Sequence, residues 1–304
     1  MRAKRVNSKI IVVASTVLVL FGCARARVTK NQNSNELLND FGGSSAQSNT
    51  VSQNASSNSQ PSANVDDFSR QSGVAPSDLL AVSAALKSRS ESQLIKVASG
   101  ILSRNPDQLQ TLNALAVYYY ESHQYGMSVI ILNRALKSHP NAPALYNNLG
   151  VVFLAQGKTQ KAIDAFKKSL QLKSDYQTGA TNLSTIYLEY HDYSRGLAVL
   201  EQSYDDTQSK LEQGDPNAVS IANNYAVALM GLGEYSKAKR IFSRIMKSNQ
   251  QNPVPLLNYA ILLVEVLKQK NDAIEVISKL KFMTEDRRIL QRVLELEQQL
   301  ESQQ

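Results

Sequence analysis

The chain has 304 residues, of which 42% are hydrophobic, and carries a formal net charge of +7 at pH 7. Four basic residues and no acidic residue lie in the first 22 positions, so the charge of the remainder falls to +3. This excess is too mild to indicate a nucleic-acid partner, and the single cysteine excludes a disulfide within the chain.

Residues 1–22 are predicted to be a targeting segment rather than part of the fold. The basic start precedes a largely apolar run of 12 residues, 10–21, which is too short to span a bilayer comfortably. This run leads into Leu20-Phe21-Gly22-Cys23, which resembles a bacterial lipobox. The resemblance implies diacylglycerol on the Cys23 thiol and a further acyl chain on the amine that cleavage frees. The alternative is an ordinary signal peptide or membrane anchor with an incidental cysteine.

Ala24 and Arg25 follow the cysteine. In enterobacterial lipoproteins, an aspartate directly after the cysteine retains the protein in the inner membrane, and its absence here resembles an outer-membrane destination. Several acyl chains would give stable anchoring where one would be marginal. We therefore expect an outer-membrane lipoprotein of the bacterial cell envelope whose folded part faces the periplasm.

Residues 23–74 are predicted to be the lipidated Cys23 followed by a disordered tether. The tract 31–64 is dominated by Ser, Asn, Gln and Gly, and it lacks the apolar surface that folding needs. Its apolar island is the segment 36–41, Glu-Leu-Leu-Asn-Asp-Phe. This island is either without function or a short docking motif.

A register of 34 residues begins near position 75. Leu115, Leu149 and Leu183 are 34 residues apart, a small residue follows each, and a large aromatic residue stands four places after each. The stretch 143–176 resembles the tetratricopeptide repeat (TPR) most clearly. Its large and small positions are filled by Tyr146, Leu149, Gly150, Phe153, Ala162 and Phe166.

The resemblance implies an all-α solenoid of helix-turn-helix repeats, and a period of 34 is typical of this class. Five clear repeats follow a degenerate N-terminal one, and eight inserted residues shift the frame once. The array is predicted over 75–283, in the segments 75–108, 109–142, 143–176, 177–210, an insert at 211–218, 219–252 and 253–283.

The first helix of each repeat lines the concave face in this family. The resemblance implies that asparagines at its fifth and sixth positions point into that groove: Asn113, Asn147, Asn148, Asn182, Asn223, Asn224 and Asn258. An amide both donates and accepts, so such a ladder can hold an extended backbone. The alternative is that asparagine is simply common at this place in the family.

An apolar stripe runs beside the asparagines. Its members at the ninth position of the first helices are Val117, Val151, Val227 and Ile261, with Thr185 interrupting, and those at the twelfth are Tyr120, Leu154, Leu188, Met230 and Val264. Glu121, Glu189 and Glu265 border it. This pattern departs from TPR proteins that hold a C-terminal carboxylate with groove Lys and Arg. It favours an apolar or amphipathic segment of a protein partner.

Two features lie outside the predicted groove. One second helix carries a basic cluster of Lys237, Lys239, Arg240, Arg244 and Lys247, which is either a solvated face or a contact for an anionic partner. Residues 284–304 are predicted to be a helix with an apolar stripe that caps the array, with homodimerisation as the alternative. We expect a monomer.

The sequence contains no pattern that indicates catalysis. His123, His139 and His191 lie in predicted turns or loops without metal-ligand spacing, so we expect neither an enzyme nor a metal or other cofactor. The chain resembles outer-membrane TPR lipoproteins, which include type IV pilus pilotins and components of motility machines. The implied function is a membrane-anchored adaptor for a cell-envelope machine, and the alternative is a scaffold for peptidoglycan-remodelling enzymes.

Overall fold

The computed structural model describes residues 76–248 and 251–302. This part of the chain is helical and contains no β-strand, which confirms the all-α class. The predicted lipidation site Cys23, the segment 36–41 and the rest of 1–75 lie outside the described residues. The helices are α1 Pro76–Lys87, α2 Glu91–Arg104, α3 Leu109–Glu121, α4 Tyr125–Ser138, α5 Pro143–Ala155, α6 Thr159–Leu172, α7 Gln177–Glu189, α8 Tyr193–Leu211, α9 Pro216–Gly231, α10 Tyr235–Lys247, α11 Val254–Ile261, α12 Lys270–Met283 and α13 Arg287–Ser302.

The described residues fall into two compact units. The N-terminal unit comprises 76–165, and the C-terminal unit comprises 166–248 with 251–302. In the N-terminal unit, α3 packs against α1, α2 and α4, and α5 packs against α3 and α4. Two small apolar cores hold this unit together, one between α1, α2 and α3 and the other between α3, α4 and α5.

The C-terminal unit has one continuous core instead. It extends from Leu188 on α7 to Leu300 on α13 and includes most of α9 and α11. The eight extra residues do not form a separate insert, because they lengthen the neighbouring helices: α8 has 19 residues and α9 has 16. The rings of Tyr204 and Tyr225 stack across these two helices with centroids 4.4 Å apart.

The turns between the two helices of a repeat share one backbone conformation. Gly157 and Gly233 adopt left-handed φ angles of 73° and 81°, and His123 and His191 stand at the same register with φ of 60° and 61°. In the turn at His123, the Gln124 N–H donates to the Tyr119 carbonyl at 2.8 Å, which satisfies a free carbonyl at the end of α3. The prediction that these histidines are turn residues is confirmed.

The C-terminal unit ends in a π-helical turn and a final helix. The π-helical turn Leu262–Leu267 continues α11. It accommodates one extra residue, because the left-handed Lys268 that follows stands one place later in its repeat than Gly157 and Gly233 do in theirs. Helix α13 packs on α11, α12 and this turn. Its stripe of Ile289, Val293, Leu296 and Leu300 is buried. No described helix is long and apolar enough to cross a membrane.

Candidate protein-binding surface

The predicted apolar stripe is partly accessible in the N-terminal unit, where Val117 is buried. Tyr120 on α3 and both Val151 and Leu154 on α5 are half-buried, so each presents part of its side chain to solvent. Between them α3 and α5 carry a single charged residue, Glu121 at the end of α3. The surface that these helices form is therefore almost neutral, with aromatic and aliphatic groups exposed side by side.

A small pocket opens within this surface. It has a cavity volume of about 20 Å³ and is lined by Ala116, Val117, Tyr120, Ser128, Leu132, Asn148, Val151 and Val152. That space suits one methyl-sized group or one water molecule. Sequence reasoning considered the first helices alone and missed Ser128 and Leu132, which the second helix α4 contributes. The small residues Ala116 and Ser128 were the sequence signal for a close approach of α3 and α4. In the structure, the Ser128 hydroxyl donates to the Ala116 carbonyl at 2.8 Å.

Tyr120 forms the aromatic wall of the pocket. Its ring lies 5.9 Å from that of Tyr125, centroid to centroid. Burial, and then the proximity of Tyr125 and Glu121, raises the pKa of Tyr120 to about 12. The phenol is therefore neutral at physiological pH and offers an O–H group beside an apolar face, a combination that is frequent at protein interfaces.

The asparagines of the N-terminal unit bond to one another. The Asn148 amide donates to the Asn113 side-chain oxygen at 2.6 Å, and Asn147 donates to the Asn148 oxygen at 3.3 Å. All three side chains are buried. The expected open ladder therefore needs correction here, because these amides join first helices of neighbouring repeats. Whether they also hold a partner stays a prediction.

The C-terminal unit repeats this arrangement. The Asn258 amide donates to the Asn223 oxygen at 2.8 Å, and Asn224 donates to the Thr185 hydroxyl at 3.0 Å. Asn223, Asn224 and Asn258 are buried, whereas Asn182 is half-buried. Since a buried polar group must be hydrogen-bonded to avoid a desolvation penalty, these amides fix the register between successive first helices.

In the C-terminal unit, the apolar residues of the predicted stripe belong to the core instead: Leu188, Val227, Met230, Ile261 and Val264. Leu188 is 2% exposed and Met230 is 7% exposed, and both lie in the continuous core of the C-terminal unit. The expectation that they open into a groove is corrected, because α7, α8 and α9 pack against one another and their apolar side chains join one core. Glu265, expected at the groove edge, makes a largely buried ion pair with Arg292 of α13.

The basic cluster on α10 is partly neutralised. Lys239 pairs with Asp272 at 2.8 Å, Lys237 with Glu234 at 3.3 Å, and Arg244 with Glu212 at 3.7 Å. Arg240 and Lys247 remain exposed. These contacts fit the solvated-face interpretation for three of the five residues.

The histidines have structural environments. The His123 Nδ1 lies 2.8 Å from the Tyr125 hydroxyl, His139 Nε2 lies 2.7 Å from the Asp107 carbonyl, and the His191 ring meets Tyr193 edge-on. Within 76–248 and 251–302, no group of three or more His, Cys, Asp or Glu residues is placed to hold a metal ion.

Comparison with known proteins identifies the repeat. Residues 143–176 match the family model of the tetratricopeptide repeat. The chain superposes on the Pseudomonas aeruginosa protein PilF with a TM-score of 0.57 and 19% identity, covering 74% of this chain and 96% of PilF. It superposes on YrrB, a TPR protein with an unusual peptide-binding site, with a TM-score of 0.51 and 13% identity, covering 66% and 97%. The fold is an all-α TPR helical repeat.

The curated relatives match less than half of this chain. An uncharacterized lipoprotein of Treponema pallidum is 24% identical over 152 residues, which cover 49% of this chain and 73% of that protein. The chain spans a quarter to a half of the length of several other curated relatives it matches.

Proposed function

We propose that this protein is a non-enzymatic adaptor that binds an apolar or amphipathic segment of a protein partner on the stripe Tyr120, Val151 and Leu154. The observation that carries the proposal is the half-buried apolar row on α3 and α5, in which Tyr120 and Val151 line a small pocket. TPR folds suggest protein–protein interaction, and an amphipathic segment that docks on such a row needs apolar anchors rather than charges.

The two units differ at the twelfth position, and this difference supports a partner site on the N-terminal unit. At the twelfth position, Tyr120 and Leu154 are accessible, while Leu188 and Met230 are buried. The asparagines behind the stripe hold neighbouring first helices in register, so the apolar row is preorganised. A preorganised surface loses less conformational entropy on binding than a mobile one.

The proposal includes a lipid anchor at Cys23 in the outer membrane, with the repeats in the periplasm. It is supported by the lipobox-like Leu20-Phe21-Gly22-Cys23 and by the likeness to the Treponema lipoprotein. The adaptor then serves a cell-envelope machine of the pilus-secretin or motility type. The fold-level likeness to PilF is compatible with this role.

Site-specific photo-crosslinking in intact cells tests the binding surface. A photoreactive residue at Val151 should give a discrete cross-linked partner. Leu154→Glu, which places a charge in the half-buried row, should reduce that product at least about tenfold, the change that 1.4 kcal/mol of lost binding would cause. Ile130→Glu on α4 is the matched control, since Ile130 is 60% exposed and lies outside the row.

Equal cross-linking in the two glutamate variants, with unchanged circular dichroism, would place the partner elsewhere. The identity of the product separates the two envelope roles: a secretin or motility component supports the proposal, and a wall hydrolase supports the peptidoglycan alternative. The anchor is tested separately, because Cys23→Ser should abolish labelled palmitate incorporation.

A further inference from the structure

Helix α1 presents an apolar face that the repeat leaves uncovered. Leu80 is 72% exposed, and Ala81 and Ala84 on the same face are exposed too. The residues 34 and 68 places after Leu80 and Ala81 are all buried: Ala114, Leu115, Asn148 and Leu149. One face of the first helix therefore differs in burial from the same face of the following ones.

The cause of that difference is visible at Leu115. It lies in the core that α1 and α2 form with α3, so the preceding helix pair covers it. No described helix precedes α1 to cover Leu80 in the same way. Stacked repeats bury a continuous core only where a neighbour exists, and the terminal face needs a separate cover.

The chain before α1 contains a segment whose chemistry fits this face. Leu37, Leu38 and Phe41 are spaced i, i+1, i+4, the same spacing as Leu80, Ala81 and Ala84. Side chains at this spacing share one face of a helical turn. Asn35 before the segment and Gly42 after it are residues that commonly bound a helix.

The charges also fit. Glu36 and Asp40 are the only charged residues between positions 31 and 64. At the C-terminal end of α1, Lys87 and Arg89 are exposed and form no ion pair within the described part of the chain. At the other end of α1, Asp78 is already paired with Arg104 at 3.1 Å. An acidic segment that lay along this face would therefore bring negative charge close to Lys87 and Arg89.

The connecting chain is long enough. Thirty-four residues separate Phe41 from Pro76, and a flexible chain of that length spans about 30–35 Å. Helix α1, with 12 residues, is about 18 Å long. Docking within one chain also benefits from a high effective concentration, so a small apolar contact suffices.

We propose that residues 36–41 pack on the Leu80, Ala81 and Ala84 face of α1 and cover the N-terminal end of the repeat. The contact is independent of the partner surface on α3 and α5. Given the anchor proposed at Cys23, it leaves 12 residues, 24–35, between lipid and docked segment. Such a chain reaches about 20 Å, so docking would hold the repeat close to the membrane.

Disulfide trapping tests the proposal in membranes that contain the full chain. Leu38→Cys with Ala81→Cys should form an intramolecular disulfide on mild oxidation at least about fivefold faster than Leu38→Cys with Ser99→Cys, because only the first pair would be held together. Ser99 is exposed on α2, so it is close to the same end of the repeat but outside the face. Adding Leu37→Ser and Phe41→Ser should remove this advantage.

Three results would overturn the proposal: equal rates for the two pairs, an advantage that survives the two serine changes, or a disulfide found only between two chains. The last would identify a second copy as the occupant. The same comparison in a Cys23→Ser background separates this contact from the anchor, since an unchanged advantage there supports the docked segment even if lipidation fails.

Discussion

The twelfth position of the first helices has two different environments in the two units. In the N-terminal unit, Tyr120 and Leu154 are half-buried and Tyr120 lines a small pocket, while in the C-terminal unit Leu188 and Met230 lie in a continuous core. The same repeat position thus leaves apolar side chains accessible in one unit and serves internal packing in the other. A consensus position specifies which way a side chain points, but not what covers it.

The reason for the difference lies in the neighbours. The C-terminal unit has the longer helices α8 and α9, and its end is closed by α13 through four buried apolar side chains and the Glu265–Arg292 ion pair. The N-terminal unit has shorter helices and divides its apolar residues between two cores. The larger contiguous core favours stability, whereas the divided one leaves apolar groups for a partner.

The largest expected effect concerns the closure by α13. Leu296 is fully buried there, and Leu294 on the same helix is 55% exposed. Leu296→Ala should lower the free energy of unfolding by about 2–5 kcal/mol, because it removes buried methyl groups and leaves a cavity. Leu294→Ala should change it by less than about 0.5 kcal/mol. Urea titrations monitored by circular dichroism measure both, and similar values for the two variants would mean that α13 does not seal this unit.

Two glycine substitutions compare how tightly the helices of the two units pack, with smaller expected changes in stability. A Cβ atom added at Gly231 on α9 would overlap the Tyr193 ring, whereas one added at Gly100 on α2 has no atom within 4 Å. Gly231→Ala should therefore destabilise the C-terminal unit by about 1–3 kcal/mol through overpacking. Gly100→Ala should stabilise the N-terminal unit by about 0.5–1 kcal/mol through helix propensity. Thermal unfolding gives both signs, and a neutral Gly231→Ala would contradict the close Tyr193 contact.

The smallest expected effect concerns a feature that both units share, the hydrogen bond between asparagines of neighbouring first helices. Double-mutant cycles on Asn113 with Asn148 and on Asn223 with Asn258 should each give a coupling of about 0.5–1.5 kcal/mol, the usual net value of one hydrogen bond. The alanine variants are compared by urea titration. Coupling in one pair but not in the other would show that the amides do not fix the register in both units alike.

Much of the architecture could be predicted from the sequence. The all-α class followed from the 34-residue spacing of Leu115, Leu149 and Leu183, and the left-handed turns followed from the register that aligns His123 and His191 with Gly157. The orientation of the asparagine amides could not be predicted, because a buried amide and one that faces a groove occupy the same sequence position. The contribution of Ser128 to the pocket could not be predicted either, since it depends on how α4 packs against α3.

The sequence alone determined the features that depend on periodicity along the chain: the repeat register, the helix-turn-helix pattern and the positions of the turns. Tertiary structure decided which members of the apolar stripe reach solvent and which asparagines bond to each other. It also decided that Glu265, in the π-helical turn, forms an ion pair with Arg292. These outcomes depend on contacts between residues about one repeat apart or more, such as Asn113 with Asn148. Burial is a property of the whole packed neighbourhood, so a local pattern can propose a surface but cannot determine whether another helix covers it.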